Sequence, residues 1–208
     1  MKLLMATRNA GKLREVRGLL APEGVEVLGL RDLPDAPDVV EDGDTFRANA
    51  RKKAWTLARV VGLPVLADDS GLAVAALGGR PGVHSARYAG PEAGDAENNA
   101  RLLEELAGVP AGERGAEFVC AMVLAVPGTE EREFVAEGRL AGTLLDVGCG
   151  SDGFGYDPLF LEATTGRTLA EMDLETKNGL SHRHRALAQL LPELRCLARE
   201  IRSGAAAP

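Results

Sequence analysis

Apolar residues fall into short runs and helical stripes that alternate along the chain. Leu3-Leu4-Met5-Ala6 is an apolar run of strand length, and Leu13, Val16, Leu19 and Leu20 recur at helical spacing just after it. Val25 to Leu28 predicts a second strand. Arg31 to Gly43, rich in Pro and Asp, predicts a loop. Asp44 or Thr45 then caps a long helix whose apolar stripe is Phe46, Ala50, Ala54, Leu57 and Val61. Asn49 and Lys53 lie one turn apart beside that stripe and can face a cleft, whereas Arg51 and Lys52 read as a solvated face. Val65-Leu66-Ala67 predicts a buried strand ending at Asp68-Asp69-Ser70-Gly71, with strand character resuming over Leu72 to Leu77. The chain is then irregular to about Gly94. Ala96 to Leu106 predicts a helix, and Glu117 to Val126 and Arg132 to Leu145 predict two long antiparallel strands joined at Pro127-Gly128. A glycine-rich loop, Gly148 to Gly155, follows. The last helix is expected from His182 to about Ile201, bent or restarted at Pro192. Strand, helix, strand, helix, strand, then a hairpin, is the order of an α/β protein with a mixed sheet.

Composition narrows this picture. The chain has 208 residues, 45% of them hydrophobic, which suits one globular domain or one domain with two lobes. Against 24 Lys and Arg stand 31 Asp and Glu, a net charge of −7. An acidic chain is a poor partner for nucleic acid, but it can hold an anionic small molecule where its cations are concentrated. Cys120, Cys149 and Cys196 lie far apart and form no C-x-x-C pair, which fits a reducing compartment. No apolar run reaches the length of a membrane span, and Lys2 with four apolar residues is too short for a signal peptide. The expectation is a soluble cytoplasmic protein with a frayed tail from residue 203 to residue 208.

Five segments carry candidate chemistry. Thr7-Arg8-Asn9-Ala10-Gly11-Lys12 joins the first strand to the first helix and offers a hydroxyl, an amide, a guanidinium, an ammonium and a helix N-terminus. These suit a phosphate, and equally an ordinary polar connection with a solvated lysine. Asp68 and Asp69 end an apolar strand, where carboxylates are costly unless a cation or donors meet them. They suit Mg²⁺ or the activation of a water, or they cap a turn. Glu41 can add a further carboxylate or belong to a helix cap. Phe154-Gly155-Tyr156-Asp157 places two aromatics at i and i+2 beside an acid. That pattern can sandwich a base, or simply pack under a loop. Ser181-His182-Arg183 starts the last helix, Ser181 as N-cap, with Lys177 on a loop just upstream.

Seven motifs occur in order along the chain. They are Thr7-x-Asn9-x-x-Lys12, Glu41-x-Gly43-x-Thr45-Phe46, Asn49-Ala50-x-x-Lys53-Ala54, Ala67-Asp68-Asp69-Ser70-Gly71-Leu72, Pro81-Gly82-x-x-Ser85-Ala86-Arg87-Tyr88, Phe154-Gly155-Tyr156-Asp157-Pro158 and Ser181-His182-Arg183. Together they closely resemble the inosine/xanthosine triphosphate pyrophosphatase family, over nearly the whole chain. The resemblance implies a homodimeric α/β fold, with a long mixed sheet flanked by helices and a central cleft between two lobes. It implies Mg²⁺-dependent hydrolysis of non-standard purine nucleoside triphosphates (ITP, dITP, XTP) to the monophosphate and pyrophosphate. In the roles so implied, Thr7, Arg8, Asn9, Ala10, Gly11 and Lys12 hold the triphosphate with Lys53. Glu41 and Asp69 handle the metal, Asp69 accepts the proton of the attacking water, and Asp68 is a second acidic participant. Ser70 contacts substrate. Phe154, Gly155, Tyr156, Asp157, Lys177, His182 and Arg183 form the purine site. Tyr156 stands where many relatives carry tryptophan, and His184 and Arg185 have no implied role.

Overall fold

In the computed structural model, which describes residues 1–203, seven strands and five helices form a mixed α/β fold with a central sheet flanked by helices. The order is β1 (Lys2–Met5), α1 (Ala10–Leu20), β2 (Glu26–Gly29), α2 (Phe46–Val61), β3 (Val65–Val74), α3 (Asp95–Glu105), β4 (Gly115–Val126), β5 (Arg132–Leu144), β6 (Phe160–Glu162), β7 (Arg167–Thr168), α4 (Leu174–Leu180) and α5 (His182–Ser203). The sheet runs β2-β1-β3-β4-β5-β6-β7. β1 pairs parallel with β2 and with β3, joined by helical crossovers, while β6 pairs antiparallel with β5 and β7. Only Ser203 of the segment expected to fray is described, and it ends α5; residues 204–208 lie outside the described residues. No helix among the described residues is long and apolar enough to cross a membrane.

Contacts divide the chain into two compact units. The first comprises Met1–Asp69, Ala121–Glu137 and the chain from Ala186 onward; the second comprises Ser70–Cys120 and Gly138–Arg185. In the first, the apolar stripe of α2 (Ala50, Ala54, Leu57, Ala58) is buried in one cluster with Leu4, Val65, Val123 and Ala125. In the second, Leu72, Leu102, Leu106, Phe118, Leu140, Tyr156 and Phe160 form the core. The boundary falls inside β3, between Asp69 and Ser70.

Local chemistry explains most of the element ends. Asn9 caps α1, its Oδ1 accepting from the N–H groups of Gly11 (2.8 Å) and Lys12 (3.1 Å). The first-turn donors expected to be open to an anion are therefore partly used by the chain itself. Of the two candidate caps for α2, Thr45 serves, with Oγ1 accepting from the Ala48 N–H. Ser181 Oγ accepts from the His184 N–H at the start of α5.

Several expectations are corrected. β3 does not end at Asp68; it runs on through Asp69, Ser70 and Gly71 to Val74, because donors and cations meet the carboxylates where they stand. Lys177 lies on a short helix, α4, rather than on a loop; Asp173 caps it by accepting from the Thr176 N–H. β6 and β7, of three and two residues, are too short to leave a period in the sequence. α5 continues through Pro192 without a restart. The proline removes one donor, while Leu187, Leu190, Leu194 and Leu197 are buried before and after it.

Candidate active site

In the first unit, one cluster gathers residues from four stretches of sequence. Asp68 is 1% exposed; its Oδ2 pairs with Lys12 Nζ at 2.9 Å, and its backbone C=O accepts from Lys53 Nζ at 2.6 Å. Lys53 Nζ also pairs with Glu41 Oε1 at 2.9 Å. Asp69, likewise buried, accepts at Oδ2 from Asn49 Nδ2 at 2.9 Å. Asn49 in turn accepts the Gly43 N–H at Oδ1, 2.8 Å away, which ties the loop carrying Glu41 to the acid it faces. A side chain on Gly43 would run into Asn49 Oδ1, so the loop approaches this closely only as glycine. Asn49 was not among the expected site residues. Its signal was there: it sits four residues before Lys53, on the same side of an amphipathic helix.

Burial pushes the Asp69 carboxyl above the usual carboxylate range, and the negative charge of Glu41 pushes the same way. Lys53, the Asn49 amide and Lys12 pull against it and do not prevail. The carboxylates of Glu41, Asp68 and Asp69 lie together here with the ammonium groups of Lys12 and Lys53. Carboxylates repel a polyanion, and a divalent cation held by them offsets that repulsion. Glu41 and Asp69 are hard oxygen donors and fit Mg²⁺, which takes one or two carboxylates and completes its shell with water and phosphate oxygens. Among the described residues there is no group of three or more His, Cys, Asp or Glu able to hold a metal by themselves.

The remaining residues of the opening loop are placed differently. Thr7 Oγ1 accepts the Asn9 N–H, and Ala10 and Gly11 begin α1. Arg8 is exposed and directed to Asp38, with Nη2 2.7 Å from Oδ1, not to the carboxylate cluster. A groove of about 900 Å³ along α2 involves other residues: Arg51, Trp55 and Arg59 there are bound to Glu133 and Glu131.

The second unit holds the other expected residues. Phe154 is 36% exposed, and Lys177 Nζ sits 4.6 Å from its ring centroid in a cation–π contact. Lys177 also forms an ion pair with Asp157, whose Oδ2 accepts the Phe154 N–H at 2.8 Å. Burial raises the Asp157 carboxyl despite the Lys177 charge beside it. Gly153, at φ +85°, leaves the space this carboxylate occupies; a Cβ there would overlap it. Tyr156 departs from the expected sandwich. Its ring is buried in the core and its hydroxyl donates to Ser85 O at 2.8 Å, so it supports the loop instead of offering a stacking face. His182 lies stacked on Phe118, with centroids 5.1 Å apart and planes at 11°. Arg183 is 2% exposed, and its Nη2 donates to Ser70 Oγ at 3.1 Å.

Comparison with known proteins identifies the family of the chain. The Ham1 family model matches residues 3–193. A dITP/XTP pyrophosphatase of Geobacter sulfurreducens is 53% identical over 193 residues, covering 93% of this chain and 96% of its own length. One from Geobacillus kaustophilus is 52% identical, covering 91% and 92%. Among solved structures, a HAM1 protein from Coxiella burnetii superposes with a TM-score of 0.84 at 38% identity, covering 96% of this chain and 99% of its own. A nucleoside-triphosphatase/dITP/XTP pyrophosphatase from Mycobacterium abscessus does so with a TM-score of 0.74 at 47% identity, covering 92% and 100%. With a family model spanning most of its length, and relatives more than half identical end to end, the chain belongs to the Ham1 family.

Proposed function

We propose that the protein hydrolyses non-standard purine nucleoside triphosphates (dITP, ITP and XTP) to the monophosphate and pyrophosphate. The observation that carries this reading is the pair of buried aspartates, Asp68 and Asp69, held by Lys12, Lys53 and Asn49. The family relationship supports it, since the relatives from Geobacter sulfurreducens and Geobacillus kaustophilus are dITP/XTP pyrophosphatases. Asp69 holds the attacking water and takes its proton. Its raised carboxyl is a better base than an ordinary aspartate at the same pH, and Asn49 keeps it aimed. The water oxygen bonds to the α-phosphorus as the bond to the bridging oxygen breaks, and pyrophosphate leaves. Lys12 and Lys53 exchange part of their carboxylate pairing for phosphate oxygens and offset the charge on the leaving group. Glu41 and Asp69 would hold Mg²⁺, which when bound supplies neutralisation of the phosphate oxygens.

The base falls to Phe154, His182 and Arg183. Phe154 offers one exposed ring face. His182 and Arg183 are donors suited to a 6-keto oxygen, and adenine's 6-amino group would leave such donors unpaired. Rejection on that basis reaches ~10⁴-fold. Guanine shares the keto group, so its exclusion falls to the surroundings of Asp157 and Lys177. A homodimer in the cytoplasm completes the reading.

The test is pyrophosphate release from a panel of ITP, dITP, XTP, GTP, ATP, dUTP and dTTP, with and without Mg²⁺. The expected result is turnover of the first three alone, and only with the metal. Comparable rates on ITP and ATP would refute the account of the purine edge. Preference for dUTP would move the protein to pyrimidine chemistry.

A further inference from the structure

The backbone of the loop around Phe154 is committed to the protein's own partners. The Phe154 N–H donates to Asp157 Oδ2 at 2.8 Å, and the Asp157 N–H donates to Phe154 O at 3.3 Å. Gly155 is held on both sides by α3. Its N–H donates to Asp95 Oδ2 at 2.7 Å, and its C=O accepts from Asn99 Nδ2 at 2.8 Å. Asp95 and Asn99 stand four residues apart and so share one face of the helix. They are joined as well, because Asn99 Nδ2 donates to Asp95 O at 2.8 Å. Both groups facing Asn99 are carbonyl oxygens, so only its amide nitrogen can stand there. The residue so gripped has φ +63°, and glycine is the residue with the most conformational freedom to lose.

We propose that Asp95 and Asn99 are positioning residues for base recognition: they clamp the peptide groups of Gly155 to α3 and thereby fix the pitch of the Phe154 ring. The two peptide units that flank the Gly155 Cα are each bound to the same helix, so neither can turn without breaking a hydrogen bond to α3. The clamp also occupies the Gly155 N–H and C=O, which would otherwise compete for the edge of a base, leaving the base to be read by a ring face and by side chains. This inference rests on the assignment of Phe154–Asp157 to the purine base.

Two measurements on the whole protein test it. The first is hydrogen exchange at the Gly155 amide, followed by NMR, which does not depend on turnover. The amide is expected to be protected in the parent protein and to exchange at least about tenfold faster in Asp95→Ala. The second is kinetics on ITP. Asp95→Ala and Asn99→Asp should raise KM about tenfold with kcat within about twofold, and should narrow the preference for ITP over ATP. Asn99→Asp has the same shape and sets a carboxylate against two carbonyl oxygens. Asp95→Asn keeps an acceptor oxygen and should behave like the parent. Unchanged Gly155 exchange and unchanged KM in folded Asp95→Ala and Asn99→Asp would overturn the proposal. So would a loss of kcat with no change in KM. If the parent protein releases no pyrophosphate from ITP, the reading of function fails instead, and the exchange experiment still judges the clamp.

Discussion

Asp69 shows how one side chain takes its character from its neighbours. A carboxylate on a strand is unremarkable until burial removes its water and Glu41 adds a like charge; both raise its proton affinity. The Asn49 amide then supplies direction, which a lysine, as a point charge, does not. Replacing Asp69 with Asn keeps the shape and removes the base. Turnover of ITP should fall by about 10³-fold, within the range for loss of a general base, while the circular dichroism spectrum and melting midpoint stay near the parent's. A folded Asp69→Asn variant with normal pyrophosphate release would remove Asp69 from the mechanism. At this scale the sequence was informative for Asp68 and Asp69, because charge at the end of an apolar run stands out, and for Lys53, which borders the apolar stripe of α2. It misled on Tyr156. An aromatic two residues from another aromatic reads as half of a sandwich, yet burial of its ring and donation of its hydroxyl to Ser85 make it part of the core. Which way a ring turns is settled by packing partners more than seventy residues away in sequence.

Among elements, the turn between β6 and β7 carries a separable pH dependence. Burial acts to raise the Glu162 carboxyl, but the N–H groups of Thr164 (3.0 Å) and Thr165 (2.8 Å) prevail and hold it below the usual glutamate range. A carboxyl depressed in the folded state contributes stability above its unfolded pKa of 4.5 and loses it as pH falls through the folded value. Glu162→Gln should therefore cost about 1–2 kcal/mol at neutral pH and progressively less as the pH drops below about 4. Melting curves of parent and variant from pH 3 to 8 check this; a difference that does not shrink toward acid would contradict it. The longer elements were legible because α2 buries a stripe at helical spacing and β1 and β4 are apolar runs. The unbroken course of β3 was not, since Asp-Asp-Ser-Gly is turn chemistry until Lys12, Lys53 and Asn49 arrive from elsewhere in the chain.

For the whole molecule, charge is the governing quantity. On the proposed function, an acidic protein takes a polyanion at a site where the carboxylates of Glu41, Asp68 and Asp69 stand beside Lys12 and Lys53. Removing divalent cations with EDTA should abolish turnover, and Mg²⁺ added back should restore it. Activity that persists after chelation would mean that lysines alone neutralise the triphosphate. Sedimentation equilibrium should return twice the chain mass, and a monomer at all concentrations would dismiss the homodimer.

By itself the sequence determined which residue types stand where. It marked the α/β order, the apolar faces, the two aspartates and the loop at Phe154, because hydrophobic period and costly buried charge are local properties. Only the tertiary structure decided what each of these touches. It closed the cap of Asn9 over the first turn of α1, turned Arg8 to Asp38, sank Tyr156 into the core and gave Gly155 to Asp95 and Asn99. Hydrogen bonds and desolvation depend on distance in space, and no spacing along the chain specifies that distance.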